Sequence, residues 1–499
     1  MDDTLYDLAV VGGGINGAGI AADAAGRGLK VILFEKSDLA SGTSSASSKL
    51  IHGGLRYLEH YEFRLVRESL AEREVLLARA PHLIWPLRFI LPHVPGMRPR
   101  LLLQAGLFLY DRLAARHVIP SSGAVDLARD PAGRALKAEL GFGFSYYDCW
   151  VDDARLVIAA ALDARARGAT ILTRTAVTGV REEGDGWRLT ATQNGASSTF
   201  AARAAVNAAG PWCAALAGLV EPATTPPRIK LVRGTHIVVP RIAGADDAYL
   251  MQNPDGRVVF ALPFAQRFTM IGTTDVPVEK PEDGFVPSRE EEAYLLETAG
   301  RFFSRAPSAS DVVWRFAGVR PLMDDGAARA SAVTRDYKLD LVAAPNGAPL
   351  LSVIGGKITT FRRLAEAALE RLAPFFPGIA PAWTARSPLP GGDFCQGGIA
   401  AYRLDVSRRY AGISSATLQR LVTLYGTNAA RILDGASSEA DLGAALGGGL
   451  TEREVVYLRD HEWARAPEDV LWRRTKAGLD LSLEQREATE RQIARLLSA

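Results

Sequence analysis

Leu8-Ala9-Val10-Val11 is a short continuous apolar run, and Lys30-Val31-Ile32-Leu33-Phe34-Glu35 is a second one. Between them an Ala/Gly-rich stretch of helical character reaches Gly28, so the pattern predicts a β-α-β unit at the N-terminus. A Ser/Gly-rich loop occupies residues 37–48. Residues 59–80 then carry Leu65, Val66, Leu70 and Val75 at helical spacing, and Pro81 ends that helix.

Farther on, residues 157–167 read as a helix, residues 170–172 as a strand and residues 187–200 as a hairpin-like alternation that returns to the first fold at Ala204-Ala205-Val206-Asn207. Apolar runs at residues 236–239, 258–260 and 268–272, separated by turns, predict a mostly antiparallel second sheet. Residues 350–354 lead into Gly355-Gly356 and a helix from Thr359, which belong again to the first fold. From residue 414 the pattern is helical, and Ser482-Leu483-Glu484-Gln485 is a capping box for the last helix. The expected partition is a nucleotide-binding domain in three parts (1–80, 146–215 and 345–387), an inserted segment (81–145), a substrate domain (216–344) and a C-terminal helical cap (388–499).

A chain of 499 residues is long enough for two or three domains. Lysine plus arginine number 58 against 56 for aspartate plus glutamate, which leaves no broad field for nucleic acid, so any anion must be bound locally. Cys149, Cys213 and Cys395 are far apart and form no C-x-x-C pair, which argues against disulfides and zinc and for a reducing, cytosol-facing compartment; no metal is expected. The acidic start, Met1-Asp2-Asp3, lacks a secretory pattern. The longest uncharged run, residues 204–220, is broken by Asn207, Gly210 and Pro211 and reads poorly as a membrane span, so membrane contact would be at the surface.

Gly12, Gly14 and Gly17 form G-x-G-x-x-G between a strand and a helix, the setting in which such glycines allow a tight turn and a close approach to pyrophosphate. Glu35 ends the second strand, where a carboxylate accepts hydrogen bonds from the adenosine ribose. This fingerprint alone leaves NAD and FAD open. The later returns to the fold, at Asn207-Ala208-Ala209-Gly210 and at Gly355-Gly356-Lys357, favour an extended flavin held by distant loops.

Residues 12–27, the string Thr43-Ser44-Ser45-Ala46-Ser47-Ser48-Lys49-Leu50-Ile51-His52-Gly53-Gly54-Leu55-Arg56-Tyr57-Leu58, and residues 149–155 together resemble the aerobic glycerol-3-phosphate dehydrogenases. The likeness continues through residues 234–240, 271–275, 318–322 and 355–360, spanning roughly residues 5 to 390. It implies an α/β fold: a Rossmann-like FAD-binding domain of the glutathione-reductase/amino-acid-oxidase type, a mostly antiparallel substrate domain and a C-terminal helical domain. It further implies noncovalent FAD, oxidation of glycerol 3-phosphate to dihydroxyacetone phosphate, and a membrane quinone as acceptor. The location it implies is cytoplasmic, peripheral on the inner face of the cell membrane. A homodimer is one admissible assembly.

A phosphate dianion needs fixed cations, and a secondary alcohol needs a proton acceptor. The resemblance implies that Arg56, Arg320 and Lys357 converge on the substrate; an arginine fork suits bidentate phosphate binding, and each charged hydrogen bond contributes about 1.5–3 kcal/mol. His236, at the start of a β-run, is the candidate base for the C2 hydroxyl as hydride leaves C2 for flavin N5, with Arg320 the other catalytic candidate. His52 is the alternative, nearer the flavin ring, and Tyr57 is a candidate hydrogen-bond partner of substrate. Cofactor contacts are assigned to Gly12, Gly14, Asn16, Gly17, Glu35, Thr43, Ser44, Ser45, Ser47, Ser48, His52, Gly53, Gly54, Ala209, Gly210, Gly355, Gly356, Lys357 and Thr359.

Residues 97–117 set Arg98, Arg100, Arg112 and Arg116 around leucines and Phe108, a pattern that fits either an amphipathic helix on a membrane surface or a core helix with charged ends. Two other functions compete. One is an FAD-dependent amine or amino-acid oxidase, which has less use for three phosphate-binding cations; the other is a non-catalytic flavin-binding protein, which needs none of Arg56, His236 and Arg320.

Overall fold

A computed structural model describes residues 4–115, 118–324, 336–343 and 347–498. Met1-Asp2-Asp3, Arg116 and His117 lie outside the described residues. The N-terminal unit is β1 (Leu5–Val11), α1 (Ile15–Gly26) and β2 (Val31–Phe34), as its apolar pattern predicts. These strands are central in a nine-stranded sheet. The order Thr170–Leu172, β2, β1, Ala196–Asn207, Pro349–Gly355 is parallel throughout. A sheet covered on both faces explains why its strands are apolar runs rather than alternations.

The strand Ala196–Asn207 does two jobs: its first half pairs antiparallel with Gly186–Gln193, and its second half lies parallel to β1. This is how the hairpin-like segment rejoins the nucleotide fold. Helix α1 packs against β1 because a β-carbon at Gly17 would collide with the Gly12 carbonyl oxygen, while Gly12 itself adopts a φ of +119° that favours glycine.

The second sheet has ten strands, and its composition corrects the expected partition. Residues 81–145 lie outside the first sheet, as expected, yet they are not a separate insertion. Ile84–Pro92 and Phe142–Val151 pair antiparallel along their whole length, and Ile84–Pro92 joins the substrate sheet beside Ala248–Gln252. Prolines at 86 and 92 obscure this strand in the sequence, since proline lacks the ladder N–H. Tyr146 to Val151 therefore belong to the second sheet, and Tyr337–Ala343, expected in the substrate domain, pairs with Pro349–Gly355 in the first.

Three helices matter for the site: α2 (Phe63–Arg79), α3 (Arg100–Arg112) and α4 (Asp153–Ala166). The last begins before the expected residue 157 because the Asp152 carboxylate caps it, accepting from the Arg155 N–H at 3.2 Å. Beyond residue 388 the chain forms helices around a core of their own, with the Ser482–Gln485 capping box present. Buried ion pairs fasten this part to the nucleotide domain: Arg474 and Arg473 on Asp38, Arg155 on Glu462, and Lys476 on Asp152.

Candidate active site

A cavity of about 780 Å³ runs along the carboxyl ends of the parallel strands and under the second sheet. It starts at the N-terminus of α1, which no side chain caps at Gly14. The Ile15 N–H donates to Ser44 Oγ at 3.0 Å, and the remaining first-turn N–H groups have no partner within the helix, the arrangement that binds phosphate. Glu35 lines one end. Its carboxylate accepts the Gly13 N–H at 2.7 Å and the Ser37 N–H at 2.8 Å, while burial pushes its pKa up against those bonds. Asn16 donates to the Gly355 carbonyl at 3.2 Å, so α1 is tied directly to the Gly355-Gly356 turn.

The serine loop is held from behind. Asp153, at the start of α4, accepts from the Ser47 N–H at 3.1 Å and the Ser47 hydroxyl at 2.7 Å, and it pairs with Lys49 at 2.6 Å. Lys49 also donates to the Ser45 carbonyl at 2.9 Å, and Thr43 donates to the Val319 carbonyl at 2.5 Å. Lys49 and Asp153 are both fully buried, so this pair replaces solvent for the loop's polar backbone. Ser44, Ser47 and Ser48 thereby face the cavity as fixed groups rather than as a flexible tract.

The same cavity is lined by His52, Tyr57, Phe260, Thr273, Arg320 and Lys357. Arg320 is aimed by three contacts: Nη1 to Asp275 Oδ1 at 2.9 Å, Nη1 to the Thr274 carbonyl at 3.2 Å, and Nη2 to Thr273 Oγ1 at 3.0 Å. Lys357 Nζ sits 3.9 Å from the Tyr57 ring centroid, a cation–π contact at the cavity wall.

Most of the expected site residues line this one cavity: Gly12, Gly14, Asn16, Glu35, Thr43, Ser44, Ser47, Ser48, His52, Tyr57, Ala209, Gly210, Arg320, Gly355, Gly356 and Lys357. Others serve it from outside. Gly17 lies beneath the turn, Ser45 contributes its carbonyl to Lys49, and Gly54 (φ +81°) opens the 3-10 segment that carries Tyr57. Thr359 bonds both the N–H and the carbonyl of His52, at 3.2 and 3.4 Å.

Arg56 and His236 lie off the cavity surface. Arg56 is half-buried and does not line the cavity. It lies in the 3-10 segment Leu55–His60, where successive side chains are about 120° apart, so Tyr57 and Arg56 face different ways. Arg320 and Lys357 line the cavity beside His52 and Tyr57, and Lys36 lines it beside Glu35. His236 is sealed 1% exposed behind Ser48, with Nε2 3.0 Å from Ser48 Oγ and its ring stacked on Phe316 at 4.9 Å. Burial, with the charges of Arg320 and Lys49, holds its pKa well below the usual histidine value, so the imidazole is neutral.

Several lining groups are not ones the sequence singles out. Lys36 stands 3.6 Å over the Trp212 ring, Trp212 stacks on Phe285 at 5.5 Å, and the Trp212 indole N–H donates to Glu282 at 2.6 Å. With Thr175 they line the cavity near Glu35. Asp275, which aims Arg320, and Asp153 lie inside the motifs 271–275 and 149–155, but nothing in those strings reveals what they touch.

The chain matches the family model described as FAD dependent oxidoreductase over residues 7–362 and that described as C-terminal domain of alpha-glycerophosphate oxidase over residues 382–499. It is 53% identical to a glycerol-3-phosphate dehydrogenase of Pseudomonas aeruginosa, covering 96% of this chain and 93% of the relative. It is 48% identical to a D-erythritol 1-phosphate dehydrogenase of Brucella abortus, covering 97% and 96%. Among solved structures, the glycerol-3-phosphate dehydrogenase of Bacillus halodurans complexed with FAD superposes with a TM-score of 0.78 at 29% identity, covering 100% of this chain and 92% of that one. The uncapped α1 N-terminus, the Glu35 carboxylate and the glycine turns suit FAD, which is the cofactor of this fold.

Proposed function

The chain belongs to the FAD dependent oxidoreductases and, within them, to the glycerol-3-phosphate dehydrogenases, and from that premise we propose how its cavity oxidises sn-glycerol 3-phosphate to dihydroxyacetone phosphate. The observation that carries the reading is that Arg320, Lys357, His52, Tyr57 and Ser48 line the same cavity as the N-terminus of α1 and Glu35. Bound FAD supplies the two-electron acceptor for the hydride that leaves C2. Arg320 and Lys357 hold the phosphate, and charge-assisted hydrogen bonds of about 1.5–3 kcal/mol each separate the ester from free glycerol.

Ser48 takes the hydrogen bond of the C2 hydroxyl, and His236 accepts its proton through Ser48. A neutral histidine is ready to receive that proton, and the substrate dianion offsets the field of Arg320 that depresses its basicity. His236 is thus a base acting through one hydroxyl rather than by direct contact. Lys49 and Asp153 keep Ser48 and its neighbours fixed, which limits reorganisation during the step.

The second electron acceptor in this reading is a membrane quinone, with α3 resting on the lipid surface. No described helix is long and apolar enough to cross a membrane. Leu101, Leu102 and Phe108 on α3 are 81%, 51% and 57% exposed, with Arg98, Arg100 and Arg112 exposed beside them, while Leu107 and Tyr110 of the same helix are buried. That division suits a helix in the headgroup region.

Anaerobic addition of glycerol 3-phosphate bleaches the flavin absorbance of the purified holoenzyme, and glycerol does not. Persistent colour with the ester refutes the reading; faster bleaching by D-erythritol 1-phosphate transfers the assignment to the longer polyol phosphate. The surface part is checked by sedimentation with anionic vesicles, where failure to bind would remove α3 from the membrane.

A further inference from the structure

His52 and Tyr57 reach the cavity on one short arm, residues 52–57. Thr359, from the turn after the last parallel strand, grips His52 on one side. The next residue is held by something the reaction does not use. The Gly53 N–H lies 2.9 Å from the Tyr110 hydroxyl and 3.3 Å from Asp148 Oδ1.

The Tyr110 hydroxyl in turn sits 2.8 and 2.9 Å from the two Asp148 oxygens, and Arg73 of α2 donates to Asp148 Oδ1 at 2.8 Å. Tyr110, Asp148 and Arg73 are 2%, 3% and 2% exposed. A buried, charge-assisted network of this kind is stiff, because each member left unpaired would carry its full desolvation penalty. Its members come from α2, α3 and the second sheet, and it converges on a single peptide N–H of the arm.

We propose that Tyr110 is a positioning residue for the oxidation: its hydroxyl fixes the Gly53 peptide and thereby the presentation of His52 and Tyr57, which makes the seating of α3 a determinant of turnover. The proposal rests on the reading of the arm as the substrate-side wall. Tyr110 lies in the last turn of α3, whose opposite face carries Leu101 and Phe108, so a shift of that helix is passed to the arm through this hydrogen bond as well as through the packing of α3 on Leu55, Tyr57 and Leu58. A misplacement of about 1 Å at reacting groups can lower a rate by about 100-fold, so one buried bond is sufficient leverage.

The test uses the Tyr110→Phe holoenzyme, which keeps the ring and removes the hydroxyl. Flavin content stays near that of the parent and the melting temperature falls by only a few degrees, the cost of leaving Asp148 and the Gly53 N–H one hydrogen bond short, while the rate of flavin reduction per bound flavin by glycerol 3-phosphate falls by about 10- to 100-fold. Tyr146→Phe, whose ring meets Tyr110 edge-on at 6.1 Å, keeps the parent rate. A per-flavin rate in Tyr110→Phe equal to the parent's overturns the proposal, as does a loss of stability or flavin with that rate unchanged. Should Tyr110→Phe not fold, Gly53→Ala pushes the same peptide against Leu70 and Tyr110, and an unaltered rate there is equally fatal. If glycerol 3-phosphate fails to reduce the parent's flavin, the oxidation reading itself falls and takes this proposal with it; where the parent turns over, the variant's rate bears on Tyr110 alone.

Discussion

Ser48 Oγ lies 3.0 Å from His236 Nε2, with the serine on the cavity wall and the histidine buried behind it. A base in that position titrates far below pH 6.5 in the free enzyme, because burial and two neighbouring cations oppose its charge. The profile of kcat/KM, expressed per substrate dianion because the phosphate itself takes up a proton at about pH 6, should therefore stay level from pH 8 down to pH 6, since what remains reports groups of the free enzyme. Ser48→Ala should lower kcat by about 100-fold or more with flavin retained, general acid–base steps being worth about 10²–10⁴. An acid limb centred at an ordinary histidine value, or normal kcat in Ser48→Ala, would reassign the base to a group on the wall such as His52.

Arg320 owes its aim to Gly234 as much as to Asp275. A β-carbon at Gly234 would strike the Arg320 guanidinium and Thr273 Oγ1, so the bare backbone is the space in which the fork lies. Gly234→Ala should raise KM for glycerol 3-phosphate about tenfold by tilting that fork, while Arg320→Ala should remove most turnover and keep the flavin. Steady-state kinetics with flavin content measured on the same samples decide this. An unchanged KM in Gly234→Ala would show that the guanidinium has another stable place to go.

The nucleotide half of the site is legible because its parts are neighbours in sequence. Gly12, Gly14 and Gly17 must be adjacent to turn the chain into α1, and Glu35 follows at the end of the next strand. The catalytic half is assembled across distance, and there sequence reading reaches types but not pairings. Lys49 and Asp153 are 104 positions apart, and Ser48 and His236 are 188 apart. A serine-rich string therefore reads as cofactor contacts, while the carboxylate that stiffens it is only one letter of another motif. Arg56 stands beside Tyr57 in a 3-10 segment that turns neighbouring side chains apart, and nothing in Leu55-Arg56-Tyr57 separates that segment from a turn or a helix. Ile84–Pro92 is missed because two prolines argue against a ladder strand that forms nevertheless.

Acid should weaken this protein through two buried histidines. Burial lowers the pKa of His82 to about 3, and that of His236 also falls well below its ordinary value. Below pH 6.5 the unfolded chain takes up protons at both positions while the native state does not, so stability is lost as pH falls, by up to about 1.4 kcal/mol per pH unit for each histidine. Above pH 6.5 neither contributes. Urea midpoints measured with excess FAD should drop between pH 6 and pH 5, and His82→Leu should roughly halve the drop; a flat midpoint over that range would mean that the histidines charge in the folded protein.

Asp38 is where the C-terminal helices meet the nucleotide site. Its carboxylate is buried and takes Arg474 at 2.8 Å and Arg473 at 2.6 Å; burial alone would raise its pKa, but the two guanidinium groups outweigh burial and hold it below the usual range. Ser37 and Ala40, on either side of it, line the cavity. Asp38→Asn leaves Arg474, 0% exposed, without its counter-charge, and breaking a buried pair by removing one partner costs about 3–5 kcal/mol. That strain falls on the same loop that shapes the flavin end, so Asp38→Asn should release FAD on dilution and open the link before residue 398 to protease, with both effects visible by flavin fluorescence and limited digestion. The double replacement Asp38→Leu with Arg474→Met removes the fully buried pair, leaves Arg473 on Asp469, and should recover most of the lost stability, as apolar substitutes for buried ion pairs commonly do. If the double variant is as weak as the single one, Asp38 acts through the loop backbone and not through its charge.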